Sequence, residues 1–166
     1  MWNKMKMDWD LGDLYIAFDS IEMKEDFLSL QKYIDVLNDY TKNNFSNSLG
    51  IKEKLENYIK ISEDVVSVYT KLISYCYLCY YANSDNKDVM GLAGQVEGIY
   101  TKYIELDAVF KKWIKELKSI DLYIEDSELL KPYNYYLKSK VCEDEHTLSD
   151  KEEYIIASMR NCSSNA

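Results

Sequence analysis

Cys76-Tyr77-Leu78-Cys79 is the first arrangement in this 166-residue chain that could do chemistry, because two thiols at this spacing can cycle as a disulfide couple or hold a metal. Redox work needs the first cysteine exposed at a helix N-terminus, where the dipole lowers its pKa. Here both thiols fall mid-helix, on the apolar seam, which makes packed core thiols the favoured reading. A zinc set would have to recruit Cys142, His146 or Cys162 at unrelated spacings. His146 is the only histidine, so neither an HExxH helix nor a His-based triad can be assembled from these residues. Its neighbours Glu143, Asp144 and Glu145 read as a solvated acidic loop. No glycine-rich phosphate loop or GxSxG elbow is present. The remaining candidates are tyrosines. Tyr75, Tyr77, Tyr80 and Tyr81, with Tyr133, Tyr135 and Tyr136, are too many for one face of one helix, so some rings must reach the surface. A contiguous exposed aromatic patch marks a contact site; the competing reading is partly buried rings with wet hydroxyls.

The elements that position these residues are helical. One proline and five glycines interrupt a sequence whose apolar positions recur three and four apart almost throughout. The first long helix is expected from Asp19 or Ser20, where Asp19 and Glu22 have capping-box spacing, to about Asn43-Asn44, with Phe27, Leu30, Ile34 and Leu37 on one face. The second is expected over 51–82, with Leu55, Ile59, Ser62, Val65, Tyr69, Leu72, Cys76 and Cys79 along its seam. A tight turn at Asn83-Ser84-Asp85 forces the third helix, 85–117, to run antiparallel to it. Val89, Leu92, Val96, Ile99, Tyr103, Leu106, Phe110, Trp113 and Leu117 form that helix's seam. Gly91, Gly94 and Gly98 within it cost roughly 1 kcal/mol each relative to Ala, and close approach of a neighbouring helix or a Tyr ring is the expected reason. A shorter helix is expected from about Leu130, with Pro132 in its first turn, to Lys140, and a last one behind the capping box Ser149-Asp150-Lys151-Glu152 through Met159. The fold class is therefore all-α: an antiparallel bundle of three long helices plus two shorter C-terminal helices. It is organised as an arm (1–18), a three-helix bundle (19–119) and a C-terminal part (120–166) within one domain.

Composition bounds the function classes. With 47% hydrophobic and 30% charged residues the chain should fold, and a domain of this length buries roughly 70% of its extended surface. A net charge of −9 disfavours nucleic acid and anionic membrane surfaces as partners. No apolar stretch is long enough to span a ~30 Å hydrocarbon core, and the N-terminus lacks a secretory h-region. A cytoplasmic address with reduced cysteines follows.

Several segments in a shared order carry a resemblance. They are Trp9-Asp10-Leu11-Gly12-Asp13-Leu14-Tyr15, the long helices, Leu130-Lys131-Pro132-Tyr133-Asn134-Tyr135-Tyr136-Leu137, His146-Thr147-Leu148-Ser149 with Glu152-Glu153, and Asn161-Cys162-Ser163-Ser164-Asn165-Ala166. Together they resemble the N-terminal region of oligoendopeptidase F. The resemblance implies cytoplasmic zinc metallopeptidases of short peptides, in which an N-terminal helical part walls the cleft and a C-terminal part carries HExxH and a later glutamate. On that basis this chain is a non-catalytic piece with no catalytic or metal residues of its own. Zinc is then the cofactor of a missing catalytic domain, and that domain and short peptides are the partners. The positions assigned to docking or to facing peptide are Trp9, Asp10, Asp13, Tyr15, Tyr77, Tyr80, Tyr81, Tyr133 and Tyr136. The motif also has a local reading: Asp10 caps a short turn with Asp13 at N3, and Leu11, Leu14 and Phe18 share a face that pins the N-terminus to the body. A free-standing helical adaptor, binding a protein through its tyrosine-bearing face, is the alternative from another class.

Overall fold

The structure, a computed structural model, describes residues 11–45, 50–82, 87–117 and 119–142. Helices supply all the regular structure of these residues: α1 (Ile21–Asn44), α2 (Ile51–Ala82), α3 (Lys87–Lys115), α4 (Ile120–Glu125), a 3-10 turn η1 (Lys131–Tyr133) and α5 (Asn134–Cys142). The chain divides into two compact units, Met1–Phe110 and Lys111–Ala166. The all-α expectation, with three long helices, is met.

In the first unit α1 begins at Ser20, whose Oγ accepts the Met23 N–H at 3.3 Å, so Ser20 rather than Asp19 is the cap. Glu22 sits in the first turn and Lys42 in the last, each complementing the helix dipole. A backbone hydrogen bond, and then the Ser20 hydroxyl, hold the Glu22 carboxyl below its usual pKa. Met23, Leu30, Ile34, Leu37 and Thr41 are buried along one stripe. From α2 the buried set is Lys54, Leu55, Tyr58, Ile59, Ser62, Val65, Leu72, Ile73, Tyr75 and Cys76, and from the first-unit part of α3 it is Val89, Ala93, Val96, Tyr103 and Phe110. Each fully buried Leu, Ile or Val contributes roughly 1.5–3 kcal/mol of hydrophobic stabilisation, so these stripes supply most of what holds the helices together.

Paired contacts fix the directions. Tyr40 on α1 reaches the Lys54 carbonyl on α2 at 3.2 Å while Asp26 meets Lys71 at 2.7 Å, so residue numbers rise on one helix as they fall on the other. On α2 and α3, Tyr58 stacks on Phe110 (ring centroids 3.6 Å apart), Tyr69 stacks on Tyr100 (3.6 Å) and Tyr77 bonds Glu97 (2.7 Å), which is the same antiparallel signature. Where α1 gives way to α2, Phe45 lies 6.3 Å from the rings of Tyr40 and Tyr58 and 6.2 Å from Phe110, an aromatic plug that ties both elements to α3.

Two expectations need correction. No neighbour approaches Gly91, Gly94 or Gly98: a Cβ added at any of them meets nothing within 4 Å, so helix–helix or ring proximity does not account for them. Residues 120–125, read from sequence as connection, form α4, and Pro132 falls in the 3-10 turn that precedes α5. The second unit is held by buried Ile114, Ile120, Ile124, Leu130 and Leu137. Buried Ser127 organises its turn by accepting the Leu130 N–H on Oγ (3.2 Å), and Lys138 of α5 pairs with Asp121 of α4 at 2.7 Å. The capping box at Ser149 and the helix expected behind it lie outside the described residues.

Candidate functional site

The Trp-Asp-Leu motif acts through its last residue. Leu11 to Leu14 make a single turn in which the Leu11 carbonyl accepts from the N–H groups of Leu14 (2.9 Å) and Tyr15 (3.2 Å). That turn aims Tyr15 into the first unit, where it is 3% exposed. Its hydroxyl donates to Asp26 Oδ2 at 2.7 Å, Lys71 Nζ donates to the same oxygen at 2.7 Å, and the Lys71 ammonium lies 4.3 Å from the Tyr15 ring centroid. Tyr75 meets the ring edge to face at 5.0 Å. Burial, reinforced by the Asp26 hydrogen bond, pushes the Tyr15 phenol far above its usual pKa. Burial works against the Asp26 carboxylate too, but the hydrogen bonds from Lys71 and Tyr15, with the Lys71 charge, outweigh it and leave its pKa lowered. Four groups from the arm, α1 and α2 are thus locked together. Tyr15, assigned to docking or peptide, is spent on this internal anchor. Asp13 lies exposed in the turn, while Trp9 and Asp10 fall outside the described residues.

Tyr77, Tyr80 and Tyr81 are brought together at the C-terminal end of α2, with Tyr81 in contact with both others (ring centroids 6.4 and 5.9 Å) and 73% exposed. The Tyr77 hydroxyl donates to Glu97 of α3 at 2.7 Å, and that bond to a carboxylate raises its pKa. Tyr69, Tyr100 and Tyr103 continue the aromatic ladder along α2 and α3, the last pair 5.0 Å apart. Tyr69, Tyr100 and Glu97 were absent from the expected set. The α3 spacing Glu97, Tyr100, Tyr103 was the available signal. In the second unit Tyr133 and Tyr136 are half-buried, and the Lys140 ammonium lies 5.2 Å from the Tyr136 ring.

A feature no motif indicated is an open cleft of about 730 Å³ in the first unit, between the start of α1 and the start of α3. Phe18, Met23, Phe27, Leu28 and Leu92 line it with apolar surface, Gly91 leaves one wall flat, and Asp19, Lys24, Asp88 and Gln95 add polar groups. Among the described residues no ion pair engages Asp19, Lys24 or Asp88. Gly91 is open because it faces this cleft.

The Cys76 thiol is packed in the core. Cys76 is fully buried, and burial, with the neighbouring Cys79, pushes its pKa up to about 11, the reverse of what a reactive thiolate needs. Among the described residues no group of three or more His, Cys, Asp or Glu could hold a metal ion. Nor is any described helix long and apolar enough to cross a membrane.

Among the described residues all regular structure is helical, and the first unit is a three-helix antiparallel bundle fastened by an N-terminal tyrosine and carrying aromatic and apolar surfaces. Residues 116–166 match the family model for the peptidase M3 N-terminal region, described as Oligopeptidase F, which bears out the resemblance read from the sequence. The match begins close to the start of the second unit at Lys111, so the long helices precede it. No curated protein and no solved structure matches the chain.

Proposed function

We propose that this chain is the non-catalytic helical front of an oligopeptidase F-like zinc peptidase, shaping access to a peptide-binding cleft whose reactive centre is built elsewhere. The observation that carries this reading is the oligopeptidase F match over residues 116–166. A water-activating zinc takes three protein ligands and an open position, typically with histidines among them, whereas this sequence has one histidine and the described residues offer no ligand cluster. The zinc of such a peptidase does not fit these residues, and no catalytic step is assigned to them. On this reading the cytoplasm is its compartment, and a region bearing HExxH is its partner.

The test has two arms. The purified chain, with zinc supplied, is incubated with quenched fluorescent peptides and should release no signal. Supplied with an HExxH-bearing catalytic region of this family, it should associate with that region and change the KM for those peptides. Chelator-sensitive hydrolysis by the chain alone, or no association with the catalytic region, overturns the proposal.

A further inference from the structure

The cleft between the starts of α1 and α3 lies within the first unit, and at about 730 Å³ it has the volume of a small-molecule site. Its chemistry is divided by depth. Met23 is buried at the floor and Phe18, Phe27 and Leu92 add half-buried apolar surface, whereas Asp19, Lys24, Asp88 and Gln95 are exposed at the rim. Such a floor takes an apolar body, and the rim decides which head group that body carries. Two carboxylates and one ammonium line it, and among the described residues no ion pair engages any of the three. A cationic head group is therefore attracted and an anionic one opposed, and the net charge of −9 acts in the same direction at longer range. Lys24 does not cancel this, because its flexible stem keeps the ammonium in water while the methylenes extend the apolar wall.

We propose that this cleft binds a small aliphatic amine, with the alkyl chain on the apolar floor and the protonated nitrogen at the rim beside Asp19 and Asp88. Gly91, where an added Cβ meets nothing within 4 Å, leaves the α3 wall low enough for a chain to lie along it. Gln95 supplies the only side-chain amide among the lining residues, too little to pair the repeating N–H and C=O groups of a peptide, so a ligand without a peptide backbone fits better. The proposal goes beyond the peptidase reading and does not rest on it.

The test uses the full chain and three probes of one length, octylammonium, octanol and octanoate, below the concentrations at which they form micelles. Binding is followed by amide NMR shifts, where Gly91 should move and Gly50, ahead of α2, should not. Octylammonium should bind on the order of tenfold more tightly than octanoate, with octanol between them. Each methylene added from hexylammonium to octylammonium should tighten binding by up to about fourfold. Asp19→Asn with Asp88→Asn should erase the preference for the amine and leave octanol unchanged, whereas Lys24→Met should tighten octylammonium severalfold. Gly91→Phe places a ring in the cleft at a position with room for it and should abolish binding without lowering the circular dichroism melt. If that variant fails to fold, Leu28→Lys, at a lip position 65% exposed, should weaken octylammonium severalfold. Octanoate binding as tightly as octylammonium, or weaker amine binding in Lys24→Met, overturns the proposal. Amine binding that survives both Gly91→Phe and Leu28→Lys overturns it too, because the ligand then lies elsewhere. Leucyl-leucinamide carries the same charge on a peptide backbone, and its binding more tightly than octylammonium would make the cleft a site for peptide N-termini, which also overturns it.

Discussion

Tyr15→Phe removes one oxygen from the Tyr15–Asp26–Lys71 node and leaves the rest in place. The ring still meets Tyr75 edge to face and still lies under the Lys71 ammonium, and Asp26 keeps its 2.7 Å ion pair. What is lost is a 2.7 Å hydrogen bond to a charged acceptor. Bonds of that kind contribute about 1.5–3 kcal/mol. The Asp26 and Lys71 side chains are 26% and 39% exposed, so water replaces part of the loss, and the expected destabilisation is about 1 kcal/mol. Tyr15→Ala also removes a ring that is 3% exposed, which places it in the aromatic-truncation range of about 3–5 kcal/mol. Urea denaturation followed by circular dichroism at 222 nm measures both, and thermal melts should show Tyr15→Phe about 2–4 °C below the parent. The pH dependence supplies a second readout. The folded-state pKa of Asp26 is lowered, so its contribution is present above the unfolded carboxylate pKa and is lost as pH falls through the folded value. Tyr15→Phe removes one of the groups that lower it, so the acid loss of stability, which begins at the unchanged unfolded-state pKa, should be smaller and end at higher pH than in the parent. A Tyr15→Phe protein as stable as the parent, with the same acid limb, would refute the node as the arm's anchor.

Gly94→Ala and Gly98→Ala should each stabilise by about 1 kcal/mol, since both are helical and an added methyl meets nothing within 4 Å; a loss in either urea midpoint contradicts this. Ser62 is buried in the α2 seam and its Oγ has no hydrogen-bond partner among the described residues, so Ser62→Ala should raise stability by about 1 kcal/mol in the same assay, and a fall would reveal a partner for the hydroxyl. The Cys76 thiol has its pKa raised to about 11, so the stability it contributes is complete below the unfolded thiol pKa and is lost as pH rises from about 9 to about 11; Cys76→Ala should flatten that part of the alkaline limb. In native protein at pH 8, Cys76 should react with a thiol reagent only at the rate of unfolding, and immediate labelling of both Cys76 and Cys79 would show the helix interior to be open.

How much of this was legible in the sequence depended on whether a residue's role was periodic or relational. The stretch 51–82 carries apolar residues three and four apart with a breaker-rich loop before it and a tight turn after it, and α2 spans Ile51–Ala82. Residues 120–125 place Ile120 and Ile124 one helical turn apart in a run of only six residues, too short to announce a helix, and α4 forms with both buried in the second unit while Leu122 stays exposed. Tyr15 shows the relational case. Its residue type and motif suggest docking or a peptide-facing role, but Asp26 and Lys71, distant in sequence and drawn together only when α1 and α2 pair antiparallel, create a part-buried polar slot that Tyr15 fills with both ring and hydroxyl. The helical cost of the α3 glycines is legible in the sequence, but its cause is not. Period alone cannot tell a glycine that admits a neighbour from one that borders open space, and Gly91 borders the cleft. That cleft joins Phe18 and Asp19 to Asp88 and Leu92 across two helices, a pairing no local pattern encodes. Chemistry that depends on which helix faces which becomes visible only once the bundle is assembled, and for this chain the surfaces open to a partner are of that kind.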